Sequence, residues 1–299
     1  MSFDFRRNPE GDLSKVVYSG SYEDTAENAV LTIPEGIEEI AENAFRGFKH
    51  LTEINLPRSL IRIASCAFSG CESLKRVNMQ YGISDISDEA FSCCQSLCEI
   101  SIPDSVKRIG EGCFEACPSL TRVKLSESVT VIASGAFSYC FNLQHITIPD
   151  SCVLVEFNAF SNCFSLESVK LSDNMGLIDE ATFEGCRSLK TVDLPTKLVK
   201  IGRRAFKGCT SLASIILPVG TQIIGFDAFA DCASLARIAL PKELTELEDF
   251  DIFGGCDRLT DVSYGGDKDA WERLMRGGVL TVQRSDLSVC TPRISFMNL

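Results

Sequence analysis

Apolar positions recur along the chain with a period of 23 residues, and a phenylalanine marks each copy of the repeat. The first eight gaps between these phenylalanines are 23 residues long, and the last gap is 24. The ten positions are Phe45, Phe68, Phe91, Phe114, Phe137, Phe160, Phe183, Phe206, Phe229 and Phe253. Ten in-phase copies predict a solenoid, in which each copy is one structural unit stacked on the next.

Two kinds of hydrophobic spacing alternate within each copy. The Ala-Phe-x-x-Cys segment places phenylalanine and cysteine three residues apart, which predicts one side of a short helical turn. The Leu-x-x-Ile-x-Leu segment that follows ends in period-two alternation and predicts a short strand, after which a proline often stands. A Val-x-x-Ile-Gly segment then returns the chain to the next copy.

One copy alone buries too little apolar surface to offset the conformational entropy lost on ordering its 23 residues. Neighbouring copies must therefore stack on each other, and identical side chains then form ladders along the axis. We expect one continuous solenoid over residues 31–264. Residues 1–30 are expected to form an N-terminal cap or tail, and residues 265–299 a C-terminal cap and tail.

The unit Ala-Phe-x-Gly-Cys-x-Ser-Leu-x-x-Ile-x-Leu-Pro-x-x-Val-x-x-Ile-Gly resembles the BspA-like class of leucine-rich repeats. The stretch from Ala205 to Ile224, AFKGCTSLASIILPVGTQII, is among the closest copies, and the resemblance covers roughly Leu31 to Tyr264. It implies a β-rich α/β fold: a single right-handed leucine-rich-repeat solenoid of about ten repeats, with terminal caps and a parallel sheet on one face. Members of that family are typically surface or secreted bacterial and protist proteins implicated in adhesion and protein binding.

The C-terminal end of the repeat pattern predicts a capping helix. Asp269 precedes Glu272 by three residues, which is the spacing of a capping box. Trp271 and Leu274 lie on one face of this helix and are expected to cover the last repeat. The Tyr-Gly-Gly…Trp sequence resembles the usual terminal cap of the family. Residues 283–299 carry no predicted element.

Nine of the fifteen cysteines stand three residues after a repeat phenylalanine, and we call this set the thiol ladder. Its members are Cys71, Cys94, Cys117, Cys140, Cys163, Cys186, Cys209, Cys232 and Cys256. Phe48 takes this position in the first copy, which indicates that the site accepts an apolar filler. Stacked Cβ atoms about 4.8 Å apart exceed the usual disulfide separation of about 3.8 Å, and a line of sulfurs does not converge as zinc ligands do. We therefore expect buried free thiols, with no metal and no cofactor.

Unpaired cysteines and the N-terminal residues bear on the cellular location. So many free thiols suit a reducing compartment, and the first residues carry no apolar core of a signal peptide. The sequence as given is therefore expected to be cytoplasmic. A secreted or cell-surface location is the alternative if an export signal is missing.

The formal charge of −12 disfavours two classes of partner. A nucleic-acid backbone or an anionic membrane surface would be repelled, whereas a protein partner would not be excluded. No run approaches the roughly 18 apolar residues of a membrane-spanning helix, so no membrane insertion is expected. His50 and His145, the two histidines, lie about four repeats apart, and no catalytic motif appears. We expect no enzyme activity and no catalytic residues.

Side chains that flank the buried isoleucine or valine of each strand are expected to point outwards. In the middle of an acidic chain they gather positive charge at Arg122, Lys124, His145 and Lys170, and Arg76 belongs to the same series. This set predicts a site for an acidic protein or a carboxylate-bearing glycan. An ordinary solvated sheet surface is the alternative interpretation.

A second series of outward positions becomes apolar along the chain, at Val131, Leu154 and Leu177. Such a stripe is a candidate contact patch. The alternative is that β-propensity selects these residues or that a second sheet buries them.

The function expected from these observations is a monomeric, non-catalytic scaffold that binds a protein on its continuous repeat surface. An exported cell-surface adhesin is the first alternative, as the family resemblance implies. A carbohydrate-binding module is the second alternative, but the outward strand positions lack an aromatic platform for sugar stacking.

Overall fold

Each copy of the repeat except the last contributes two short parallel strands, because its two apolar segments alternate buried and outward side chains. The last copy, at Phe253, contributes only a strand of the first kind. These strands form two rows along the solenoid axis, one from each segment. The computed structural model describes residues 5–6, 16–18, 24–26, 29–248, 252–276, 278–286 and 288–297.

The first row is formed by the Leu-x-x-Ile-x-Leu segments, and a strand from the C-terminal region completes it. Its members are Val30–Thr32, Glu53–Asn55, Arg76–Asn78, Glu99–Ser101, Arg122–Lys124, His145–Thr147, Ser168–Lys170, Thr191–Asp193, Ser214–Ile216, Arg237–Leu240, Asp261–Tyr264 and Arg293–Phe296.

The second row is formed by the Val-x-x-Ile-Gly segments, and two strands from the N-terminal region precede it. Its members are Phe5–Arg6, Val16–Tyr18, Ile37–Ile40, Arg62–Ile63, Asp85–Ile86, Arg108–Ile109, Val131–Ile132, Leu154–Val155, Leu177–Ile178, Lys200–Ile201, Ile223–Ile224 and Glu246–Leu247.

Strands pair with the equivalent residues of the next copy, so the pairing register equals the sequence period. Val123 lies opposite Ile100 in the first row, and Ile132 lies opposite Ile109 in the second. Because parallel pairing in this register aligns identical positions, like side chains form ladders. The α-helix content of the described residues is one helix of 7 residues, Lys268–Leu274. The predicted β-rich solenoid is therefore confirmed.

The repeat phenylalanines form one stacked column through the interior. Every ring is fully buried. Ring centroids of successive copies lie between 5.0 Å, for Phe45 and Phe68, and 5.9 Å, for Phe229 and Phe253. Neighbouring rings are within 20° of parallel, an arrangement typical of offset stacking. The predicted phenylalanine ladder thus runs through the core of the molecule.

The Ala-Phe-x-x-Cys segments form tight turns closed by bonds between residues three apart, such as Cys140 N to Phe137 O at 3.3 Å. Positive φ recurs at two positions, the residue two before the phenylalanine in the first nine turns and the residue two after it in all ten. The first set is Asn43, Cys66, Glu89, Gly112, Gly135, Asn158, Ala181, Arg204 and Asp227. The second set is Gly47, Gly70, Cys93, Ala116, Tyr139, Asn162, Gly185, Gly208, Asp231 and Gly255. The left-handed backbone explains why glycine and asparagine recur there.

Both ends of the stack gain a strand beyond the repeat pattern. Val16–Tyr18 pairs in parallel with Ile37–Ile40, so the second row begins within the segment predicted to be the N-terminal cap or tail. Arg293–Phe296 pairs in parallel with Asp261–Tyr264 and extends the first row with residues that carried no predicted element. The domain boundaries at residues 30/31 and 264/265 remain predictions.

The C-terminal helix covers the last repeat as predicted, with Trp271 and Leu274 buried and the Trp271 ring 5.3 Å from that of Tyr264. The predicted capping box is wrong. Asp267 is the N-cap, and its carboxylate accepts a hydrogen bond from the backbone N–H of Ala270 at 2.7 Å. Because Asp267 already accepts a hydrogen bond from a backbone N–H of the first turn, the helix begins before Asp269. Asp269 therefore lies within the first turn, where its negative charge interacts favourably with the helix dipole.

Candidate functional site

The outer surface of the first row carries the predicted basic residues. Arg122 and Lys124 flank the inward Val123 in one strand, and their side chains are exposed. The same alternation exposes Arg76, His145 and Lys170 in neighbouring copies. Because a strand points successive side chains to opposite faces, all five lie on one surface of the solenoid.

Four of these residues line one groove. Arg76, Arg122, Lys124 and His145 surround a concavity of about 670 Å³ that crosses neighbouring strands of the first row. Lys170 lies outside its lining. The sequence did not single out the uncharged polar residues that also line this groove, which are Asn78, Ser101, Thr121 and Gln144.

An acidic neighbour partly neutralises the basic surface. The Arg122 guanidinium is 2.7 Å from the Glu99 carboxylate, an exposed pair that contributes little stability. His145 shares a hydrogen bond of 2.8 Å with Ser168 Oγ. Within the described ranges, Arg76, Lys124 and Lys170 form no ion pair within 4.0 Å. Their charges therefore remain available to a bound carboxylate.

The predicted apolar stripe lies on the outer surface of the second row. Val131 and Leu154 are half-buried cross-strand neighbours, and Leu177 lies opposite Lys200 in the adjoining stretch. Side-by-side packing on a pleated surface accounts for their partial burial. None of the three lines the groove of the first row.

The thiol ladder has a role that the sequence did not reveal. All fifteen cysteines are free, and the nine ladder members are buried, so the predicted free thiols are confirmed. Each ladder thiol donates a hydrogen bond to the carbonyl oxygen of the phenylalanine in the preceding copy. Burial raises the pKa of seven of these thiols, to about 12 for Cys71; the seven are Cys71, Cys94, Cys117, Cys140, Cys163, Cys186 and Cys209. These seven are inert donors rather than nucleophiles at neutral pH.

Within the described residues, no three or more histidine, cysteine, aspartate or glutamate side chains come together where they could hold a metal ion. The helix there is too short and too polar to cross a membrane.

These repeats match a known family over most of the chain. The sequence model described as the BspA type leucine-rich repeat region matches residues 15–143 and 130–260, in 6 copies. The chain belongs to the BspA-type leucine-rich repeat family. A search of curated proteins returned no match to this BspA-type repeat protein.

Solved structures with similarity to this BspA-type chain include two leucine-rich proteins and a vaccine antigen. The leucine-rich repeat protein of T. pallidum is 27% identical with a TM-score of 0.50, over 70% of this chain and 87% of its own. A leucine-rich cell surface protein from Faecalibacterium prausnitzii A2-165 is 24% identical with a TM-score of 0.44, covering 91% of this chain and 96% of its own. The pneumococcal vaccine antigen PcpA is 18% identical with a TM-score of 0.47, covering 96% of this chain and 95% of its own. The T. pallidum protein shares the solenoid fold.

Proposed function

We propose that this BspA-type chain is a monomeric, non-catalytic scaffold that binds an acidic segment of a partner protein in the groove of the first row. The observation that carries the proposal is the meeting of Arg76, Arg122, Lys124 and His145 around one concavity. These four residues come from three different copies of the repeat, so only the stacked solenoid forms the site.

The distribution of charge on the chain supports an acidic ligand in this groove. The chain as a whole carries −12, so a basic groove stands out against its surroundings and gives specificity by charge complementarity. The amide of Asn78 and the hydroxyl of Ser101 supply hydrogen-bonding groups beside the cations. An extended peptide offers both carboxylates and backbone amides to such a lining.

The test measures, by fluorescence anisotropy, the binding of a fluorescein-labelled peptide of alternating glycine and glutamate. Arg122→Glu with Lys124→Glu should raise the Kd about tenfold or more, and wild-type affinity should fall as NaCl rises from about 50 to about 200 mM. Arg237→Glu with Lys242→Glu is the matched control, because it makes the same charge change elsewhere on the solenoid. Equal losses in both variants, with unchanged urea midpoints, would refute the groove as the site.

Two exposed thiols, Cys93 and Cys98, support a reducing compartment as part of this proposal. The alternative is a cell-surface adhesin, which membership of the BspA-type family favours. Protease treatment of intact host cells separates the two locations. Protection of the chain supports the cytoplasmic location, whereas its digestion while a cytoplasmic marker survives supports the adhesin.

A further inference from the structure

A second concavity lies on the surface formed by the Ala-Phe-x-x-Cys turns, away from the groove of the first row. It has a volume of about 510 Å³ and runs across five consecutive copies, from Glu89 to Glu184. Small residues line its middle part and leave a trough; they are Gly112, Ser134, Gly135, Ser138 and Ser161. We call this concavity the turn cleft.

Two aromatic side chains stand in the turn cleft and face solvent. Tyr139 is 43% exposed and Phe157 is 49% exposed. Tyr139 also has a φ of 60°, at the position where five copies carry glycine. The aromatic surface continues beside the cleft, because the Phe141 ring lies edge-on to Tyr139 at 6.2 Å and stacks on Phe164 at 4.8 Å. Exposed aromatic rings grouped in this way are typical of contact surfaces.

The chain itself shows what these rings attract. The guanidinium of Arg187 lies 4.6 Å from the centroid of the Phe164 ring, and that of Arg203 lies 5.7 Å from the centroid of Phe226. Both distances are within the range of a cation–π interaction. No cation from the described part of the chain occupies the equivalent place over Tyr139 or Phe157.

Negative charge surrounds the same two rings. Glu89, Glu111, Glu115 and Glu184 line the turn cleft, and none forms an ion pair within 4.0 Å in the ranges that the structure describes. Burial and the charges of Glu89 and Glu111 raise the pKa of Glu115. A bound cation would relieve this mutual repulsion, which makes the cleft complementary to positive charge.

We propose that the turn cleft binds an arginine-containing segment of a partner protein, with a guanidinium against the Tyr139 or Phe157 ring and the cleft carboxylates as its acceptors. Arginine fits better than lysine because its planar guanidinium stacks on a ring while its N–H groups still reach carboxylates. This surface is separate from the basic groove of the first row, so the inference does not depend on the function proposed above.

Neighbouring copies provide substitutions that the fold already accepts. Tyr139→Asn introduces the residue that Asn162 places at the same turn position, and Phe157→Ser introduces the equivalent of Ser134. In the same way, Glu111→Ser and Glu115→Ser follow Ser134 and Ser138. The matched control is Phe226→Ser, which removes an exposed ring from the same turn position outside the cleft.

The probe is a fluorescein-labelled peptide of alternating glycine and arginine, measured by anisotropy. Tyr139→Asn with Phe157→Ser should raise its Kd about tenfold or more, and Glu111→Ser with Glu115→Ser should raise the Kd and flatten its salt dependence. Phe226→Ser should leave the Kd within about twofold. Urea midpoints should confirm that every variant is folded.

Three results would overturn the proposal. The first is the absence of saturable binding by the arginine peptide to the wild-type chain. The second is equal affinity for the matching glycine–lysine peptide, which would show attraction by charge without ring stacking. The third is an equal loss in Phe226→Ser and in the cleft variants.

Discussion

The thiol of Cys140 donates a hydrogen bond to the carbonyl oxygen of Phe114, 3.2 Å away, across the boundary between two copies of the repeat. Every member of the thiol ladder makes the same bond, at distances of 3.1 to 3.3 Å. The bond gives a buried backbone carbonyl a donor where no water reaches. Cysteine thus combines the packing of a small apolar side chain with a weak donor that ties each turn to the preceding one.

Removal of one ladder thiol should destabilise the protein measurably. Cys140→Ala should lower the free energy of unfolding by about 1–3 kcal/mol, because it leaves a small cavity and takes away a buried donor. Cys140→Ser should lower it less, since the hydroxyl can still donate to the Phe114 carbonyl. Urea unfolding followed by circular dichroism measures both, with the exposed Cys98→Ala as control. A Cys98→Ala loss as large as that of Cys140→Ala would contradict a role for the buried bond.

Alkaline pH should weaken the fold through the same thiols. Burial raises the pKa of Cys71 from 9.0 to about 12 and that of Cys152 to about 11. At pH values between the pKa of the unfolded state and that of the folded state, the folded state binds more protons than the unfolded state. The free energy of unfolding is therefore highest below about pH 9 and falls as the pH rises above it. Each such thiol should contribute about 1.4 kcal/mol per pH unit in that window. Urea unfolding at pH values from about 7.5 to about 10 measures the slope.

A single-thiol variant provides the control for this pH dependence. Cys152→Ala should remove one thiol's share of the slope above about pH 9. A free energy of unfolding that stays constant up to pH about 10 would contradict titration of the buried thiols as the cause.

Replacing glycine by alanine at a left-handed turn position should lower the free energy of unfolding, and replacing alanine by glycine at the equivalent position of another copy should raise it. Gly208 has a φ of 72°, and an added Cβ would meet its nearest neighbour, in Gly185, at an ordinary 3.6 Å. Gly208→Ala should therefore cost about 1 kcal/mol through the backbone alone. Ala116 has a φ of 54° at the equivalent position, so Ala116→Gly should stabilise the chain by up to about 1 kcal/mol. Denaturation midpoints of the two variants test this, and a shift in the same direction for both would argue against backbone strain.

The fold was predictable because the repeat makes every long-range contact a fixed sequence step. The Phe137 ring stacks on Phe114 and Phe160, each 23 residues away, so the spacing in the sequence is also the contact in space. The ends were less predictable, since Arg293–Phe296 and the N-cap Asp267 lie outside the periodic pattern. At the helix N-terminus several nearby residues could accept a hydrogen bond from the free backbone N–H groups, and the period does not indicate which of them does.

The candidate sites were predictable only in part. Strand alternation identified Arg122 and Lys124 as outward residues, and the period places Glu99 between Arg76 and Arg122. Only the structure decided that the Glu99 carboxylate pairs with Arg122 rather than with Arg76. The turn cleft was missed because its aromatic and acidic residues occupy turn positions, where the sequence pattern predicts no common face. A useful signal was present: Tyr139 stands where neighbouring copies carry small or turn-forming residues.

The sequence by itself determined the number of copies, the stacking of phenylalanine on phenylalanine and the outward direction of the strand side chains, because each follows from a short period. Only the tertiary structure decided which outward side chains share a groove, which charges are paired, and that each ladder thiol reaches a backbone carbonyl of the preceding copy. Those relations depend on distances of a few ångströms between residues of different copies, and such distances are set by the twist and packing of the whole stack rather than by any one repeat.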